Sequence, residues 1–140
     1  MSHKSGFTLI ELVVVVLILG ILAAIAIPKV VYSTDLAKDS EVTQTLASLR
    51  DAVELYRTQT NAGGFPQGTG TTVQTKLIPL IRGAKFPKVK VGGLSSSSVK
   101  IDNALTVSGT EGWVYAPLTG GLIINSNSYT QDGVTKYSEL

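Results

Sequence analysis

The chain has no cysteine, and its single histidine is His3. The first absence excludes a disulfide framework and a thiolate metal site. The second leaves nothing beyond position 3 from which to build a Ser-His or Cys-His nucleophile or a histidine-rich zinc set. Charge is sparse as well: 16% of residues are charged, the net charge is +2, and no four basic residues run together. A nucleic-acid surface normally shows a basic patch or stripe, so no nucleic-acid partner is expected. Asp35, Asp39, Glu41, Asp51 and Glu54 are left as candidate acid-base groups, but they read as charges on an exposed helix face. No enzymatic activity is expected from such a set.

What the chain has in quantity is apolar character, gathered at one end. From Phe7 to Ile27 the only charged residue is Glu11. A run of this size can cross a bilayer, which takes roughly 17–25 residues. A carboxylate inside it costs a few kcal/mol and is normally retained for pairing, transport or assembly. The plainer reading is a signal anchor or a secretory signal, and Ala23-Ala24-Ile25-Ala26 imitates a small-residue cleavage site. A secretory signal, however, usually has an apolar core of about 7–15 residues and a polar mature start. Here helical character continues past the alanines.

The run Gly6-Phe7-Thr8-Leu9-Ile10-Glu11 follows a short polar leader with Lys4 and precedes a long apolar helix with Pro28. It resembles the class III signal of the type IV pilin and pseudopilin superfamily. The resemblance implies cleavage between Gly6 and Phe7 by the membrane-embedded prepilin peptidase and methylation of the new Phe7 amino group. It also implies that Glu11 pairs with Phe7 of a neighbouring subunit during assembly. The competing reading of Glu11 is that it snorkels to the cytoplasmic interface, about 6 Å along the axis from Phe7.

Between Phe7 and about Thr60 the only glycine is Gly20 and the only proline Pro28, so one long helix is expected. Pro28 lacks an amide hydrogen and crowds the preceding turn, which predicts a kink or local unwinding over Ala24 to Pro28, with Gly20 a second weak point. A merely bent helix is the alternative. Beyond Lys29 the pattern becomes amphipathic: Val42, Leu46, Leu49, Val53 and Tyr56 recur at steps of four and three and mark one buried face. Asp39 and Arg50 fall with the solvated sides. About two heptads are too few for a sustained coiled coil, so the stripe is expected to pack on the chain's own head.

The helix is expected to stop at Asn61-Ala62-Gly63-Gly64-Phe65-Pro66. Val73 to Ile81 reads as a short helix interrupted by Pro79, and Lys85 to Val91 as a loop entering an extended segment. Val99-Lys100-Ile101 and Ala104 to Val107 are short strand candidates. Gly112 to Tyr115 and Leu122 to Asn125 flank a Pro- and Gly-bearing turn and predict a hairpin. Trp113 and Tyr115 are read as packing residues, with ligand stacking as the alternative. The resemblance makes calcium the cation to test, but the tail Ser126 to Gly133 offers one carboxylate, Asp132, where a hard cation needs several oxygens; a simple Asp132-Gly133 turn competes with it.

The expected fold is α+β: a long N-terminal helix packed on a small antiparallel sheet, in a pilin-like arrangement. Residues 1–6 form the leader, 7–28 the transmembrane and filament-core helix, 29–60 its amphipathic half, and 61–140 the head. The resemblance implies a pseudopilin of a type II secretion-like system. It would be held in the inner membrane with its N-terminus cytoplasmic and its head periplasmic, then assembled into a pseudopilus. Implied partners are other copies of itself, minor pseudopilins, the prepilin peptidase, the inner-membrane assembly platform and the lipid bilayer. The alternatives are a type IV pilus pilin and a membrane-anchored ligand-binding domain.

Overall fold

The computed structural model describes residues 6–59 and 63–140. The leader residues 1–5, including His3 and Lys4, and the start of the expected helix stop at Asn61-Ala62 lie outside the described residues. The chain divides into two compact units, Met1–Leu36 and Ala37–Leu140. Helix α1 (Leu9–Gln59) contributes residues to both.

In the first unit every described residue up to Thr34 is exposed. Leu and Ala favour the helix here while the many β-branched Val and Ile lower its propensity only slightly, and α1 runs through both Gly20 and Pro28 without a break. The unwound turn expected before Pro28 is absent. Pro28 removes one hydrogen bond from a long ladder, and the turns on either side hold the helical geometry.

The second unit is built on the amphipathic part of α1. Val42, Leu46, Leu49, Ala52 and Val53 are buried, and Tyr56 packs at the margin of the same core. Against this stripe lie a short helix α2 (Gly70–Leu77), a 3₁₀ turn (Ile78–Leu80) that accommodates Pro79, and five short strands. Thr69 caps α2, its hydroxyl accepting from the Thr72 amide at 3.3 Å. Strands β1 (Val89–Val91) and β2 (Leu94–Ser96) form an antiparallel hairpin. Gly92 and Gly93 turn it, with φ of 53° and 81°, the left-handed pair that a two-residue hairpin turn demands.

The second sheet has the order β3-β4-β5, with β3 Val99–Ile101, β4 Trp113–Ala116 and β5 Gly121–Ile124. The expected hairpin is β4 and β5, antiparallel with Trp113 opposite Ile124 and Tyr115 opposite Leu122. The sheet is mixed and not purely antiparallel, because β3 pairs with β4 in parallel. Residues 102–112 carry the chain back to the starting edge, as a parallel pairing requires. Ala104 to Val107, expected as a strand, belongs to that return. Asp102 accepts from the amides of Ala104 and Thr106 at 2.9 and 3.2 Å, and Leu105 adopts φ 53°, so the backbone is taken up by a turn. Gly112 is fixed by crowding: a Cβ there would overlap the Ser96 carbonyl oxygen.

Candidate functional site: the start of α1 and the head that follows

Gly6 and Phe7 precede α1, and Phe7 is 77% exposed. Thr8 closes the start of the helix. Its amide and its hydroxyl both donate to Glu11 Oε2, at 2.9 and 2.8 Å, and the Glu11 amide donates back to Thr8 Oγ1 at 3.3 Å. This is a capping box, in which two otherwise unsatisfied amides of the first turn find side-chain acceptors. The carboxylate also sits at the positive end of the helix dipole. Thr8-Leu9-Ile10-Glu11 spells the T-x-x-E signal of such a box, whereas the sequence reading above gives Glu11 only pairing between subunits or snorkelling. Because the box uses the Thr8 amide and not that of Phe7, a cut before Phe7 leaves it whole.

Behind that cap, α1 is apolar around its whole circumference, and its most apolar stretch has none of its residues buried. A helix hydrophobic on all sides normally lies in a protein core or a bilayer. Gly20 and Pro28 both lie on α1, and a methyl group at Gly20 would meet nothing within 4 Å. The apolar segment is therefore a surface awaiting lipid or other helices.

In the head, Trp113 and Tyr115 are fully buried together with Leu46, Leu49 and Val53. The Trp113 indole N–H donates to the Pro87 carbonyl at 3.0 Å, which satisfies its polar atom inside the core. The Tyr115 hydroxyl has no hydrogen-bond partner. Burial pushes its pKa up, with the neighbouring Tyr56 and Glu54 adding to the effect.

Two residues placed on the solvated side of α1 do more than the pattern suggested. Asp39 accepts from the Tyr137 hydroxyl through one oxygen and from the Gln131 amide at 2.7 Å through the other. Arg50 donates to the carbonyls of Leu122 at 3.2 Å and Leu140 at 3.0 Å. Together they bind the C-terminal segment to α1. No local signal marks these contacts, because each partner lies far along the chain.

Asp132 organises its own turn. Its oxygens accept from the Thr130 hydroxyl at 2.6 Å, the Val134 amide at 2.8 Å, and the Thr135 amide and hydroxyl at 3.0 and 2.9 Å. The Thr130 hydroxyl and then these amides hold its carboxyl well below the ordinary range. With its lone pairs committed to the loop, this carboxylate fits a turn better than a calcium shell. Among the described residues no three His, Cys, Asp or Glu side chains converge as metal ligands. A polar cleft of roughly 720 Å³ opens beside Ser96, Ser108 and Asn125. Asn125 is fully buried, but its amide is engaged by Ser108, Gly109 and Glu111. The polar groups of the cleft thus serve one another.

An exposed apolar helix, long enough to cross a membrane and with a capped carboxylate at its start, is joined in sequence to a small α+β head, the layout of a pilin-like protein. The family described as the prokaryotic N-terminal methylation motif matches residues 1–27. The type IV narrow pilus major component PilA5 of Thermus thermophilus is 38% identical over 107 residues, 76% of this chain and 78% of that protein. The type IV wide pilus major component PilA4 of the same organism is 43% identical over 82 residues, 56% of this chain and 60% of its own length. The type II secretion system core protein G of Pseudomonas aeruginosa is 44% identical over 55 residues, so the chain spans only 39% of that relative's length. No solved structure matches the chain significantly. The chain belongs to the type IV pilin and pseudopilin superfamily.

Proposed function

We propose that the protein is a repeating, non-enzymatic filament subunit. It is cut between Gly6 and Phe7, held in the inner membrane by the apolar part of α1 with its head on the periplasmic side, and then withdrawn from lipid into a filament. The observation that carries this reading is the Thr8–Glu11 capping box at the start of a wholly exposed apolar helix. The box fixes a carboxylate one turn from where the new amino group of Phe7 would stand. A neighbouring subunit's amino group can then form a charge-assisted bond with it, offsetting the cost of a carboxylate in lipid.

The destination we favour is the pseudopilus of a type II secretion-like machine. Support comes from the core protein G relatives. One observation favours a second reading, a surface pilus. The match to the narrow pilus component covers 107 residues and so must extend well beyond α1 into the head, whereas the core protein G matches of 55 to 59 residues need not. Intact mass of the chain from the membrane fraction and from sheared surface fibres tests both. We expect a chain beginning at a methylated Phe7 in the membrane fraction, and its presence as the main component of the sheared fibres would select the surface pilus. A chain beginning at Met1 or after Ala26 would overturn the proposal. Loss of secreted proteins on deletion, without loss of surface fibres, selects the pseudopilus.

A further inference from the structure

We propose that the segment from Ser126 to Leu140 is a clasp closed by protein donors alone, with the Asp39 carboxylate of α1 gathering its two arms in the place where the resemblance implies calcium. The segment doubles back on itself. The Ser138 amide donates to the Ser126 carbonyl at 3.1 Å, the Tyr137 amide to Ser128 at 3.0 Å and the Thr130 amide to Thr135 at 2.8 Å. Asp39, half-buried on α1, then joins the outgoing arm to the returning one. One of its oxygens accepts from the Gln131 amide at 2.7 Å and the other from the Tyr137 hydroxyl. A loop-bound cation gathers oxygens at one charged point. Here the sign is reversed, and an anion gathers N–H and O–H groups. Arg50 lies about three turns further along the same face of α1 and holds the end of the segment through the carbonyls of Leu122 and Leu140.

The donors that close the clasp also oppose a cation. Calcium takes roughly 6–8 oxygen ligands. In this region Asp39, Asp132 and Glu139 each face a protein donor instead. Asp132 receives the Thr130 and Thr135 hydroxyls and the Val134 and Thr135 amides, and Glu139 faces the Lys136 ammonium at 3.9 Å. The positive ends of these groups point at the oxygens that an ion would use, so calcium entering at Asp132 would break the turn before it gained its ligands. Lys136, set over the Tyr129 ring at 5.9 Å, adds a repelling charge on the same segment. The head therefore closes whatever the divalent-ion concentration around it.

The full-length chain in detergent micelles provides the test, with Trp113, the single tryptophan and buried in the head, as the reporter. Thermal melts in excess EDTA and in excess calcium chloride at matched ionic strength should superimpose, and equilibrium dialysis should retain no stoichiometric calcium. Asp39→Asn keeps the size of the side chain and removes the charge that accepts both donors. Its midpoint should fall by about 5–15 °C, in EDTA and calcium alike. Tyr137→Phe should lower the midpoint too, and the double variant should fall by less than the sum of the two, because both remove one shared contact. A saturable rise of the wild-type midpoint with calcium, or one ion retained per chain, would overturn the proposal whatever the variants do. So would a wild-type midpoint in Asp39→Asn, or strict additivity with Tyr137→Phe. Should Asp39→Asn fail to fold, the wild-type calcium comparison and Tyr137→Phe decide alone, and an unchanged midpoint in Tyr137→Phe counts against the clasp.

Discussion

At the scale of single residues, two tyrosines in one core face opposite circumstances. Tyr115 buries a hydroxyl that nothing receives, while Tyr137 donates its hydroxyl to the Asp39 carboxylate. A buried polar group without a partner costs free energy, and a bond to a charged acceptor contributes about 1.5–3 kcal/mol. Tyr115→Phe should therefore raise stability by about 1 kcal/mol, and Tyr137→Phe should lower it by about 1.5–3 kcal/mol. Denaturant melts of the two variants read the difference, and destabilisation by both would contradict the assignment. Asp132 makes a pH prediction. Its folded pKa lies below the unfolded value, so its contribution to the loop is complete above about pH 3.9 and is lost as pH falls through the lower folded value. The amide signals of Val134 and Thr135 should stay constant down to about pH 4 and move only in stronger acid, whereas a midpoint at the ordinary aspartate value would refute the turn geometry.

At the scale of elements, what was legible in the sequence had local causes. The stripe Val42, Leu46, Leu49, Val53 and Tyr56 announces its face through the 3.6-residue period, and the β4–β5 hairpin announces itself through Pro117, Gly120 and Gly121 between apolar runs. The β1–β2 hairpin was missed although Gly92-Gly93 gives its turn, because Leu94 to Ser98 is serine-rich and lacks the β-branched residues that mark strands. The parallel pairing of β3 with β4 was not legible, since it is set by the return of residues 102–112 and not by any short pattern. In the apolar helix, local rules identify weak points, yet the structure keeps them helical. Gly20→Ala should add about 1 kcal/mol of helix stability with no steric clash. If assembly requires that turn to loosen, the variant should insert normally and give fewer filaments; unchanged yield would show that the segment stays helical throughout.

At the scale of the whole molecule, two kinds of surface are divided between two units. The first unit exposes apolar side chains in every direction and keeps one carboxylate at its start. The second closes a core of its own around Trp113, Tyr115 and the α1 stripe, and ties its C-terminal segment down through Asp39 and Arg50. A head that is self-sufficient can change its environment without unfolding, while the apolar helix must exchange one partner for another. On the filament reading that exchange turns on the charge of Glu11, and glutamine separates the charge from the cap. A Gln at this position still accepts from Thr8, so Glu11→Gln preserves the capping box and removes only the anion. The decisive measurement is filament yield from Glu11→Gln cells in which cleavage and membrane insertion are verified by mass and fractionation. A subunit that assembles through the Glu11 carboxylate should show a fall of about tenfold or more, as expected when a charge-assisted bond worth about 1.5–3 kcal/mol is lost at every subunit contact. Wild-type yield from that variant would contradict it, leaving Glu11 as a helix cap and nothing more.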